Sequence, residues 1–133
     1  MEVIGRAERL VLPPRPASAA AARRFVGRAF EGAGARHSED VAVLLASELV
    51  TNALLYAQGD IVVRVEVRDG RIWVGVADES GHPVRQRDVS VDATSGRGLG
   101  IVQRLATAWG IDETTSDLGH VTGKTVWFEL PNR

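Results

Sequence analysis

Residues 47–57 read S-E-L-V-T-N-A-L-L-Y-A, inside a stretch whose apolar spacing predicts a long helix from Ser38 to about Ala57. In so apolar a segment, Glu48 and Asn52 are conspicuous. At 100° per residue Asn52 lies about 40° from Glu48, so the two side chains share one line along the helix. Val41, Leu44, Leu45 and Leu55 surround that line, while Asp40, Ser47 and Thr51 form a polar stripe roughly 80° to the side. The pair is therefore expected within an apolar face, away from the solvent stripe. An unpartnered carboxylate there costs several kcal/mol or takes up a proton. Two readings follow. Glu48 is a structural glutamate bonded to a backbone group or an arginine, or it is a general base lining a pocket. Oxygens at i and i+4 suit a hard cation such as Mg²⁺, with substrate phosphates completing its shell.

Working outward, Ser38 is expected to cap this helix, with Glu39 and Asp40 in the dipole-favoured first turn and Gly59 beyond its end. Upstream, residues 2–12 read as a strand ended by Pro13-Pro14. Ser18 is expected to cap a helix reaching about Phe30, with Ala22, Phe25, Val26, Ala29 and Phe30 as its apolar stripe and Gly32 and Gly34 stopping it. Arg23, Arg24 and Arg28 fall mostly on its other side, as a solvated basic face or a partner site.

Downstream, residues 62–76 read V-V-R-V-E-V-R-D-G-R-I-W-V-G-V, with Asp69-Gly70 as a two-residue hairpin turn. Pairing across it sets Val67 with Ile72, Val65 with Val74 and Val63 with Val76 on one face. Arg64, Glu66, Arg68, Arg71 and Trp73 share the other, wetter face. From Gly81 to Gly96 periodicity is lost, over a length typical of a flexible functional lid. A helix with Leu99, Val102, Ala106 and Trp109 on one stripe follows, then strands at about 111–116 and 121–130. The order β-α-α-β-β-α-β-β predicts one α+β domain over residues 1–133. Its form is a two-layer α/β sandwich with helices on one face of a mixed, mostly antiparallel sheet.

The bulk composition narrows the chemistry. The chain has 133 residues, 44% hydrophobic and 25% charged, enough for a real core without metals or disulfides. A net charge of −1 gives no whole-molecule case for direct nucleic-acid binding. The absence of cysteine excludes thiolate metal sites and cysteine nucleophiles. No apolar run is long enough to span a membrane and no signal-peptide pattern opens the chain, so the expectation is a cytoplasmic protein without a membrane partner. His37, His82 and His120 are isolated from one another and predict no metal centre.

Two further segments bear on the pocket. The second hairpin strand runs into Asp78, which at a strand end can accept a hydrogen bond from an amino group or simply start a turn. Residues 95–102, S-G-R-G-L-G-I-V, bring three alternate glycines into a helix, where backbone amides and the helix dipole favour a phosphate. They follow a long loop, unlike a dinucleotide fingerprint, and no P-loop motif is present.

With these pieces in order the chain resembles the GHKL ATP-binding superfamily and, within it, bacterial anti-sigma factor serine/threonine kinases. E-L-V-T-N-A at 48–53 resembles the N-box. D-E-S-G-H at 78–82 stands at the first glycine box, G-R-G-L-G at 96–100 is similar to the second, and G-K-T-V at 123–126 resembles the terminal segment. The resemblance covers nearly the whole chain and implies a Bergerat-type fold binding ATP and Mg²⁺. It implies Glu48 as general base and Asn52, with Ala53 beside it, at the Mg²⁺-bearing phosphates. Asp78 would bind adenine, with Thr125 supporting the base, and Gly81 would be a nucleotide-binding residue that restores the turn of the first glycine box. Gly96, Arg97, Gly98, Leu99 and Gly100 would form the phosphate-facing edge of the lid. Its implied partners are a small anti-anti-sigma-type antagonist protein, which is phosphorylated, and a sigma factor, which is sequestered; a homodimer is compatible with it. Two departures stand out. Ser80 and His82 occupy positions where the family's first box has glycines, and Tyr56 stands where many relatives carry histidine. The first departure leaves room for a nucleotide-dependent binding module without phosphotransfer.

Overall fold

The computed structural model describes residues 4–56, 59–78, 95–115, 117–119 and 121–133. The elements are β1 (Ile4–Leu12), α1 (Ala17–Gly32), α2 (Arg36–Tyr56), β2 (Ile61–Arg68), β3 (Arg71–Asp78), α3 (Ser95–Leu105), β4 (Ala108–Thr115) and β5 (Val121–Pro131). The five strands form one sheet in the order β1-β2-β3-β5-β4, antiparallel at every pairing. Of the expected lid, residues 81–94, including Gly81, lie outside the described residues, while Ser95 and Gly96 belong to α3.

The hairpin is where local chemistry is strongest, and the register follows it. Val67 faces Ile72, Val65 faces Val74 and Val63 faces Val76. Gly70 takes a φ of 79°, which a side chain there would resist. β5 continues the same inward rows, with Val126 opposite Val76, Phe128 opposite Val74 and Leu130 opposite Ile72. Against them pack Ala22, Val26, Ala29 and Phe30 of α1, six residues of α2 from Ala42 to Ala53, and Val102 of α3. Alanines on both long helices, and a glycine at position 27 against Val43, let α1 and α2 lie close together over the sheet.

Both serines expected to cap helices do something else. α1 starts at Ala17 after Pro16, and Ser18 lies within its first turn, donating its hydroxyl to the Pro13 carbonyl at 2.6 Å. α2 starts at Arg36, and Ser38 donates to the Pro131 carbonyl at 2.7 Å while its N–H reaches the main-chain oxygen of Arg133 at 3.0 Å. Each hydroxyl is buried, so satisfying a strand-end carbonyl outweighs satisfying its own helix terminus. The effect is to lace each helix start to a strand end. Arg23, Arg24 and Arg28 are exposed on α1, with Arg23 donating to Ser47 Oγ of α2 at 3.1 Å.

Trp109 belongs to β4, which begins three residues before the expected boundary, while α3 ends at Leu105. The apolar stripe Leu99, Val102, Ala106 continues into Trp109 at helical spacing, but Thr107 N–H bonds to the Glu129 carbonyl and turns the chain into the sheet. Gly110 then sits in the strand because Trp127 occupies the place of its side chain. A Cβ there would fall 2.6 Å from Cζ2 of Trp127.

The sheet face away from the helices is covered by its own side chains. Trp73 and Trp127 stack with centroids 6.3 Å apart, and the guanidiniums of Arg64 and Arg68 lie 5.2 and 5.6 Å from the centroid of Trp73. Glu129 receives Arg68 and Arg71, both at 3.2 Å, and Arg68 also meets Glu66 at 2.6 Å. Trp73 is left only 8% exposed, so this face is much drier than its sequence suggests. The indole of Trp73 folds back along its own strand over Gly75, where a Cβ would overlap the ring. Gly75→Ala is therefore expected to lower stability by about 1–3 kcal/mol. The reading is a lower urea midpoint at unchanged slope, with altered near-ultraviolet circular dichroism of the tryptophans. A midpoint equal to wild type would show that Trp73 does not rest on Gly75.

Candidate functional site

The strand and helix directions bring the chemistry-bearing residues to one end of the sandwich. α2 begins over the hairpin end of the sheet, because Ser38 is bonded to Pro131 and Pro131 faces Arg71. From Ser38 to Asn52 the helix climbs roughly 21 Å, and from Arg71 to Asp78 β3 runs roughly 23 Å. α2 packs along β2, β3 and β5 on the way. Its last two turns thus arrive at the level of Asp78, at the end of the sheet opposite the hairpin turn.

Around α2 the side chains divide into three faces. Ala42, Leu45, Ala46, Leu49, Val50 and Ala53 are buried against the sheet. Val43 and Ser47 meet α1. The remaining face carries Glu48 and Asn52, both half-buried, together with Leu44 at 43% exposure and Leu55 at 63%. The polar pair therefore lies on an open apolar face, at its border with the core, rather than within a buried one. Asn52 and Asp78 are each engaged by neighbours, and Tyr56 is half-exposed and engaged as well.

Asp78 is the buried member of the group, at 4% exposure, on the helix-facing side of the last residue of β3. Strand alternation continues the inward row Ile72, Val74, Val76 into this carboxylate. An aspartate ending a core row is an acceptor fixed in place, able to take the N–H of an amino group.

α3 completes the arrangement. It packs on α2 and on β4, and its C-terminus turns within two residues into β4 at the Glu129 end of the sheet. Its N-terminus consequently points back toward the Asp78 end. The main chain of Ser95–Gly100 is already helical, so Gly96, Arg97, Gly98, Leu99 and Gly100 lie within the first turns and not in a loop edge. The N–H groups of Ser95, Gly96, Arg97 and Gly98 have no partner within the helix, which gives this end its affinity for negative charge. A Cβ at Gly100 would meet nothing within 4 Å.

Thr125 is the predicted site residue that the register separates from the others. It faces Ala77, on the Trp-covered side of the sheet, whereas the residue opposite Asp78 is Lys124. Counting back from Val126, Phe128 and Leu130 in the sequence would have indicated this alternation, because those three apolar residues mark the inward side. Among the described residues no cluster of three His, Asp or Glu side chains could hold a metal by itself.

Residues 12–129 match the model of the histidine kinase-like ATPase domain, HATPase_c_2. The chain belongs to the histidine kinase-like ATPase family. Domains of this family bind ATP, typically with Mg²⁺, and the five-stranded antiparallel sheet with three helices among the described residues is consistent with their fold. No curated protein matches the chain. None of its described helices is long and apolar enough to cross a membrane.

The residues present fit the nucleotide of a histidine kinase-like ATPase. A buried carboxylate stands ready for an amino group, two half-buried oxygen-bearing side chains stand on the open face of α2, and a glycine-bearing helix N-terminus points to the same end. A Mg²⁺ ion there would draw most of its oxygen ligands from phosphates and water, with Asn52 Oδ1 as the protein's contribution.

Proposed function

We propose that the chain is an ATP-dependent protein serine/threonine kinase of the anti-sigma factor type, cytoplasmic, acting on a small antagonist protein and sequestering a sigma factor. The observation that carries the proposal is the placement of Glu48 beside Asn52 on the open face of α2, at the same end of the sandwich as Asp78. In this reading Asp78 accepts the adenine amino group and Asn52 holds Mg²⁺. The first turns of α3, from Gly96 to Gly100, meet the phosphates. Bound Mg²⁺ supplies neutralisation of phosphate charge. Glu48 accepts the proton of a serine or threonine hydroxyl as that oxygen bonds to the γ-phosphorus and ADP leaves.

A second reading, a nucleotide-dependent binding module without phosphotransfer, is favoured by Ser80 and His82 in the first glycine box. The two are separated by capturing partners on the immobilised chain with and without ATP–Mg²⁺ and mapping phosphosites on what is retained. The kinase reading expects a small partner phosphorylated at serine or threonine only when ATP is supplied. A partner retained only with ATP yet never phosphorylated would replace it with the binding module.

A further inference from the structure

We infer that Lys124 is a base-contacting residue, which reads the purine ring of the nucleotide together with Asp78. The inference rests on the nucleotide reading above. Lys124 is the only lysine in the sequence. It lies directly opposite Asp78 across the β3–β5 pairing, so both side chains project from the helix-facing side of the sheet. Directly opposed residues on one sheet face have Cβ atoms about 5 Å apart, within easy reach of a flexible lysine. The half-buried Lys124 thus has its ammonium, which only donates, within reach of a buried carboxylate, which only accepts. The Watson–Crick edge of adenine presents the matching neighbours, an amino donor at N6 and an acceptor at N1. Asp78 takes the N6 hydrogen and Lys124 donates to N1.

Lys124 also has Glu113 opposite it on β4, so a purely structural cross-strand charge pairing is the competing role. That role would move stability and leave base recognition untouched. The discriminating probe is 1-deaza-ATP, in which a carbon replaces the N1 acceptor. The wild-type chain is expected to bind ATP about tenfold more tightly than 1-deaza-ATP. Lys124→Met, which keeps the stem and removes the donor, is expected to bind the two equally, at the weaker level. In parallel, acetylation of Lys124 in the unmutated chain, followed by peptide mass, is expected to slow several-fold when ATP–Mg²⁺ is present. ATP binding with no preference over 1-deaza-ATP and no protection of Lys124 overturns this inference while the nucleotide site stands. No ATP binding by the folded chain overturns both.

Discussion

Asp78→Asn is expected to weaken ATP binding by roughly 30- to 100-fold while the domain stays folded. The carboxylate sits at the end of a core row, where a hydrogen bond to a charged acceptor is worth about 2–3 kcal/mol. The substitution keeps the shape of the side chain but removes its charge and replaces one acceptor oxygen with a donor, which opposes an amino group. Stability should change less than affinity, since Asn fills the same volume beside Ile61 and Lys124, its cross-strand neighbours. Calorimetric titration of each variant reads affinity, and urea unfolding reads stability. An Asp78→Asn chain that is folded and binds ATP as wild type does would remove Asp78 from the site.

Glu48→Gln is expected to lower phosphotransfer by about 10²-fold or more and to leave ATP affinity within a few-fold of wild type. A general base is needed when the hydroxyl proton moves, and it contributes little to holding the nucleotide beforehand. Glutamine preserves the length of the side chain on the open face of α2, so partner binding should also survive. Asn52→Ala is expected to behave differently, losing both Mg²⁺-dependent ATP binding and transfer, because its role precedes the chemistry. Transfer of radiolabelled phosphate to the captured partner, measured beside nucleotide titrations, separates the two patterns. Equal transfer rates in wild type and Glu48→Gln would exclude Glu48 as the base.

The parts of this fold legible in the sequence are those fixed by nearby residues. Asp69-Gly70 sets the hairpin register by turn chemistry alone, and the observed pairs Val67–Ile72, Val65–Val74 and Val63–Val76 follow from it. The line shared by Glu48 and Asn52 is equally local, being a property of helical spacing. What surrounds that line is a tertiary matter. Leu44 and Leu55 have the same hydrophobicity as the buried Leu45 and Leu49, and only the positions of α1, α3 and the sheet decide which of them is covered. Ser18 and Ser38 show the same limit, because a hydroxyl suited to capping is equally suited to a strand-end carbonyl brought in from elsewhere. Thr125 and Lys124 depend on β5 inserting between β3 and β4, a pairing that no turn signal announces. Trp109 continues a helical stripe that Gly110 follows, whereas the observed helix end at Leu105 has neither glycine nor proline beside it to mark it.

Calorimetric titration of the intact chain with ATP and Mg²⁺ tests the nucleotide site most directly. The placement of Asp78, Asn52 and the N-terminus of α3 at one end of the sandwich predicts saturable binding of about one nucleotide per chain, dependent on Mg²⁺ and weakened in Asp78→Asn. A folded chain that takes up no ATP at millimolar concentration would contradict it.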